Sequence, residues 1–443
     1  MMRSMGLIAW LPSVTARRRA VLGAFTSILL ASCAATGSAG PPPIRIGAIF
    51  PLSGSTATDA GDEYLGATIA AQMVNAAGGI RGRRISLDTR DVESTGQIPA
   101  AAASLRRDGT PVVIGAYASE LSIPAAAAVA GAGMVYWETG AVADQVTGQG
   151  SPLVFRVGAN GADLGGNSGR FVLQQLVPRI GLPARSVSAF LVTADDAYAH
   201  SVADGARAAL ATGGMPIAGA AVYNPYVPQW APVIAQIRAT RPAVLLLSSH
   251  VPDGVAFRRA FLAAGLHVDA FIGTTMAQCT DFGAALGPDA VGVFASDRPD
   301  YEFNASALNG PAEALYQRFA GAWRQKTGHN PTEEGISGFT AAWTLFNNAL
   351  PSAAHLTAKS IAAAARDIDL PTGSLPNGAG VLFSTAPDQM GQNVRAAADI
   401  WQWQAPQHYV VVWPPTYSTG QLEMTPDPSP SPGAQKGSAS TPW

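Results

Sequence analysis

Little in this 443-residue sequence supports covalent or metal chemistry. It holds two cysteines, Cys33 and Cys279, so the fold rests on its core rather than on disulfides. The six histidines, at 200, 250, 267, 329, 355 and 408, lack the i, i+4 pairing of a helical zinc site. No G-x-S-x-G elbow occurs; the nearest stretches, Gly166-Asn167-Ser168-Gly169 and Gly335-Ile336-Ser337-Gly338, have the wrong spacing. A Walker loop is missing, and Gly131-Ala132-Gly133 does not complete a dinucleotide fingerprint. Cys279 has no nearby histidine to activate it and reads as a small buried hydrophobe. No catalytic residue, metal or cofactor is assigned. Carboxylates do occur in pairs, Asp195-Asp196 and Glu333-Glu334, the second read as a solvated helix start.

Charge is scarce as well. Only 13% of residues are charged, 28 basic against 30 acidic, for a formal charge of −2. That balance argues against nucleic-acid binding, which needs a concentrated basic surface. The 48% hydrophobic content excludes disorder of the whole chain. A chain of this length buries a large core and suggests two or three domains.

The first 32 residues read as a signal peptide. Arg17, Arg18 and Arg19 precede a 12-residue uncharged run, 20–31, short of the roughly 20 residues that span a bilayer. The run ends in Leu30-Ala31-Ser32-Cys33, which resembles a bacterial lipobox and makes Cys33 the lipidated mature N-terminus. The triple arginine also resembles a twin-arginine export signal, although Val21 stands where that signal prefers Phe. After cleavage, 24 basic residues face 30 acidic ones, a formal charge of −6. Residues 33–43 read as a flexible tether and 416–443, rich in Pro and Ser, as a disordered tail.

Between tether and tail, strand-like and helix-like patterns alternate. Residues 44–50, 85–89, 111–116, 134–137 and 154–157 form one series of strands, with helices over 62–77 and 98–107. A second series opens with a helix over 171–180 and continues through strands at 188–193, 217–223, 243–248, 270–273 and 291–295. Such alternation predicts an α/β chain with two doubly wound, parallel-sheet lobes. Ligands of such sheets bind beyond the carboxyl ends of the strands, which two lobes can turn toward one another.

Several segments, in order, resemble the leucine/isoleucine/valine-binding proteins, the type I periplasmic solute-binding proteins of branched-chain amino-acid ABC transporters. They are Ile46-Gly47-Ala48-Ile49-Phe50-Pro51-Leu52-Ser53-Gly54, Asn75-Ala76-Ala77-Gly78-Gly79-Ile80-Arg81-Gly82-Arg83, Val112-Val113-Ile114-Gly115 with Ser119, and Ala263-Ala264-Gly265-Leu266. The resemblance implies two α/β lobes joined by a three-crossover hinge. Lobe one is 44–160 plus 298–396, and lobe two is 161–297 plus 397–415. A ligand closes the hinge.

The same resemblance implies the site. Ser119 takes the position of the family's carboxylate-binding serine, and Gly140 that of a backbone contact. Val142 stands where the family has a threonine, Tyr198 where it has a covering aromatic, and His250 where it has a second tyrosine. Thr275 replaces the glutamate that pairs with the ligand's ammonium, a loss of about 3–5 kcal/mol for an amino acid. Glu138 is the first candidate to replace it, with Glu120 and Asp195 behind; its other reading is a side chain turned to solvent or paired with an arginine. The implied partners are a small amino acid or related carboxylate, an ABC permease and a membrane reached through the lipid anchor. An extracytoplasmic sensor on the same fold is the alternative.

Overall fold

The structure, a computed structural model, describes residues 41–424. The signal peptide, Cys33, most of the tether and residues 425–443 lie outside the described residues.

Five parallel strands form the first sheet, in the order β2-β1-β3-β4-β5. They are β1 (Ile44–Phe50), β2 (Ile85–Asp91), β3 (Val112–Gly115), β4 (Val135–Glu138) and β5 (Val154–Arg156). Helices α1 (Ala57–Ala76), α2 (Ile98–Arg107) and α3 (Ser119–Gly131) connect them. Strands β3 and β4 are buried at every residue, as expected of a parallel sheet covered on both faces. Helix α3 escapes the sequence reading because it is alanine-rich, carries Pro124 inside it and shows no apolar stripe.

The chain then crosses to the second lobe through α4 (Gly161–Phe171), which runs on through a π-helical turn to α5 (Val177–Ile180). The predicted helix over 171–180 therefore begins ten residues too late. Asn160 and Asp163 form a reciprocal capping box that fixes the true start. Next come β6 (Ala189–Ala194), α6 (Ala197–Thr212), β7 (Ile217–Tyr223), α7 (Trp230–Thr240) and β8 (Val244–Ser248). After them follow α8 (Val251–Ala263), β9 (Ala270–Gly273), α9 (Thr280–Leu286) and β10 (Val293–Asp297).

From β10 the chain returns to pack four helices on the first lobe: α10 (Gly310–Thr327), α11 (Glu333–Thr344), α12 (Leu350–Ser352) and α13 (Ala358–Arg366). A short ladder of β11 (Asp369–Leu370) and β12 (Val381–Leu382) follows. The hairpin β13 (Asp399–Ala405) and β14 (His408–Trp413) completes a seven-stranded sheet ordered β14-β13-β10-β9-β8-β6-β7. Strand β13 is antiparallel to both β10 and β14, so the second sheet is mixed rather than wholly parallel.

Glycines bring one helix pair into backbone contact in each lobe. A Cβ on Gly66 of α1 would strike the Gly335 carbonyl of α11, and one on Gly165 of α4 would strike the Val202 carbonyl of α6. The crossovers between lobes lie side by side. Arg156 and Gln392 form a parallel bridge, Gln392 Nε2 donates to the Gly158 carbonyl at 3.0 Å, and Gly158 lies against the Arg298 side chain. Residues 416–424, assigned from composition to the tail, are packed at their start: Tyr417 is buried and its hydroxyl donates to the Gly378 carbonyl at 3.1 Å.

Candidate functional site

Loops at the carboxyl ends of both sheets meet between the lobes. The Asp144 amide, after β4, donates to Ser201 Oγ on α6 at 3.1 Å, and that hydroxyl lies 3.2 Å from Gln145 Oε1. Ser119 opens α3 on the lobe-one wall. It is buried, and its Oγ accepts the Ala143 N–H at 3.0 Å, leaving its own proton for another acceptor. Gly140 sits directly over Glu63, whose Oε2 occupies the space a Cβ would need. The Gly140 carbonyl accepts Arg298 Nη1 at 2.8 Å.

Tyr198 stands on the lobe-two wall with its hydroxyl 2.6 Å from Thr274 Oγ1 and hydrogen-bonded to Thr275 Oγ1. The His250 ring lies 5.2 Å from the Tyr198 ring, centroid to centroid, with Nε2 2.9 Å from Asp196 Oδ2. Burial would disfavour both charges, yet the His250–Asp196 hydrogen bond lowers the Asp196 pKa and raises that of His250. Asp195 and His200 form a second, more exposed pair at 3.0 Å.

A cleft of this kind, between two α/β lobes joined by adjacent crossovers, has many relatives. The sequence model of a periplasmic binding protein family matches residues 43–401. The chain belongs to that family. This binding protein is 29% identical to the Leu/Ile/Val-binding protein homolog 8 of Brucella suis biovar 1 (strain 1330) over 397 residues, covering 87% of the chain and 94% of the relative. Homolog 7 of Brucella abortus (strain 2308) is 25% identical over 405 residues, with 89% and 98% covered. Among solved structures, a putative branched-chain amino acid ABC transporter from Silicibacter pomeroyi superposes with a TM-score of 0.69 at 20% identity, covering 86% of this chain and 99% of that one. The branched-chain amino acid transporter substrate-binding protein of Streptococcus pneumoniae, in complex with isoleucine, gives 0.67 at 18%, covering 84% and 100%. These solved structures share the type I binding-protein fold. The relatives are solute-binding proteins rather than enzymes, and the family acts outside the cytoplasm.

Within the binding protein's cleft, Glu138 corrects the reading of a side chain turned to solvent. Of the arginines, Arg156 acts on it through its charge. Glu138 is fully buried, and Oε1 accepts the N–H groups of Thr139, Gly140 and Ala141 at 2.9, 2.9 and 2.8 Å. The Tyr136 hydroxyl donates to Oε2 at 3.0 Å. Glu138 therefore ties down the loop it was expected to serve. Burial keeps its pKa raised despite the three N–H bonds. Val142 is also turned inward: it belongs to the hydrophobic core, and its carbonyl accepts the Gly161 N–H at 2.8 Å. Ser119 and Gly140 thus lie in lobe one and Tyr198, His250 and Thr275 in lobe two, while Glu138 and Val142 are buried.

Sequence reasoning missed the acidic floor. Glu333 is buried, not solvated, and pairs with Arg298 through Nε to Oε1 at 2.9 Å and Nη2 to Oε2 at 3.0 Å. Glu63 is fully buried, with Oε1 taking a hydrogen bond from the Thr139 hydroxyl. Tyr117, after β3, donates to Asp59 Oδ2 at 3.2 Å. Cys279 is half-buried rather than core, caps α9 and points its sulfur at the Thr275 carbonyl, 3.6 Å away. Burial, then the charge of Glu334, raises the Cys279 pKa, which keeps it a thiol rather than a nucleophilic thiolate. The signal for Glu63 was present: a lone acid among Ala60, Gly66 and Ala67 on the buried side of α1.

Proposed function

We propose that this protein is an extracytoplasmic solute-binding lipoprotein of an ABC importer. It captures a small polar solute, an amino acid or a related compound, between its lobes. The anchor is a lipid on Cys33 and the recipient is a transporter permease. The observation supporting this reading is the meeting of the two lobes beside their crossovers, where the Asp144 amide of one donates to Ser201 Oγ of the other. Ligand bridging the walls favours the closed arrangement by its differential affinity. The Brucella relatives and the isoleucine complex support an amino-acid-like solute.

The test is thermal unfolding of the full chain with each amino acid and its amide. A ligand at a hundredfold over Kd stabilises by about 2.7 kcal/mol and raises the melting temperature. The matching uptake assay compares cells with and without the gene. Binding with unchanged uptake would leave a sensor in place of a transport component, and turnover of a solute would replace both.

A further inference from the structure

We propose that a pocket at the amino ends of the first sheet holds the phosphate of an anionic phospholipid headgroup, so that lobe one rests on the membrane with the cleft turned away. This rests on the lipoprotein reading and deepens it, because the partner is the membrane surface itself.

A tight turn builds the pocket. Ile80 and Arg83 exchange backbone hydrogen bonds at 2.8 and 3.0 Å, which leaves Arg81 and Gly82 as the turn residues, with φ of 53° and 74°. Glycine or asparagine takes the first of these conformations with little strain; here an arginine takes it, an outlier that points to a use for its side chain. The pocket has a volume of about 240 Å³ and is lined by Arg81, Arg83 and His355 together with Ile44, Ile80 and Leu356. Drug-sized ligands occupy roughly 300–1,000 Å³, so this space suits a small headgroup.

Both guanidinium groups are held by carbonyls rather than by acids. Arg81 Nη2 donates to the Pro351 carbonyl at 2.9 Å and to that of Ala353. Arg83 donates to the Pro42 carbonyl from Nε at 2.8 Å and to that of Pro43 from Nη2 at 3.2 Å. Each keeps its Nη1 N–H groups for another acceptor. The nearby acids are engaged elsewhere: Asp88 pairs with Arg45 and Arg90, and Asp108 with Arg90. Among the described residues, Arg81, Arg83 and the exposed Arg84 pair with no carboxylate. Fixed guanidinium groups without counter-ions match a phosphate, which arginine takes through paired N–H groups.

The path of the chain favours a lipid over a free phosphate. Arg83 holds the carbonyls of Pro42 and Pro43, and nine chain steps separate Pro42 from Cys33, a reach of at most about 30 Å. The pocket lies at Ile44, the first residue of β1, whereas the cleft loops follow the strand's last residue, Phe50, about 20 Å further on. A headgroup held here leaves the cleft free to open and close. The mature chain, with a formal charge of −6, is repelled as a whole by an anionic surface, so attraction has to be local.

The experiment is vesicle flotation of the chain from Ala34 onward, which keeps every described residue and carries no acyl group; thermal melting checks that each variant is folded. The expected result is binding to phosphatidylcholine vesicles containing phosphatidylglycerol, weakened by salt, and none to phosphatidylcholine alone. Arg81→Gln with Arg83→Gln should lower that binding roughly thirtyfold, and Arg84→Gln, whose side chain holds no other group, roughly fivefold. Arg185→Gln with Arg207→Gln, an equal loss of charge on lobe two, should leave it unchanged. Equal binding to both vesicle types, or equal losses in the two double variants, overturns the site. Inorganic phosphate that binds the chain while vesicles do not overturns the membrane as its occupant. Mass spectrometry of the N-terminal peptide from native membranes reads the acyl group on Cys33 separately, so the lipoprotein reading can fail while vesicle binding stands, and the reverse.

Discussion

Removing the Glu138 carboxylate should unravel a loop rather than simply empty a site. In Glu138→Ala, the N–H groups of Thr139, Gly140 and Ala141 lose their shared acceptor, and the Tyr136 hydroxyl loses one of its partners. An unsatisfied buried N–H costs about 1–3 kcal/mol, with the lower value applying where water can enter the space left behind. Three of them, taken near the lower value because water can enter, give about 3–5 kcal/mol. Glu138→Gln keeps one oxygen in place and loses only the charge assistance, about 1–2 kcal/mol. A 150–250-residue domain shifts its melting temperature by about 2–4 °C per kcal/mol, so a larger chain shifts by about 1–2 °C. Differential scanning calorimetry should therefore show a fall of about 5 °C for Ala and about 2 °C for Gln. Hydrogen exchange should show lost protection confined to residues 139–141. A Gln variant that melts like the wild type while losing its ligand would refute the anchor role and restore Glu138 as a ligand group.

Three further outcomes are expected. Arg298→Met should cost about 3–5 kcal/mol by stranding Glu333, and adding Glu333→Gln should recover at least 1 kcal/mol in urea unfolding; strict additivity of the two would dissolve the pair. Gly140→Ala should cost about 1–3 kcal/mol through overpacking against Glu63 Oε2, and Glu63→Ala in the same chain should relieve it. Stability should rise as pH falls from 8 toward about 5.5. Glu63, Glu138, Asp297, Asp300, Glu334 and Asp399 all have raised pKa values, chiefly by burial. The folded chain therefore holds more protons than the unfolded one above the ordinary carboxylate range of about 4, and stability falls as pH climbs through the raised values. Half-exposed His250, its pKa raised beside Asp196, adds a small effect of the same sign. A melting temperature that climbs from pH 5.5 to 8 would contradict that sign.

The parts legible from sequence were those with strong local periodicity. The strands of both sheets lie within a few residues of their predicted places, because buried parallel strands leave unbroken apolar runs. Helix α4 carries Gly165 and Gly169 for contact with α6, a tertiary purpose that one sequence does not display. The site was half legible. Ser119, Gly140, Tyr198, His250 and Thr275 all follow strand ends, at helix starts or in loops. The acids did not announce their roles: Glu138 and Glu333 look like surface residues in sequence, and only tertiary packing supplies the amides and the arginine that bury them. The pairing of Glu63 with the 139–140 loop spans 76 residues of chain and leaves no local trace.

Glu138 also changes what a ligand has to do. With its carboxyl lodged against three successive amides, the loop after β4 carries its own permanent tenant. Fixing a backbone residue costs about 1–2 kcal/mol in lost freedom, and here folding has already met that cost before any solute arrives. Capture then needs only hinge movement, with no loop to order, so association should differ little among accepted solutes. Discrimination between them should appear in how long each one stays.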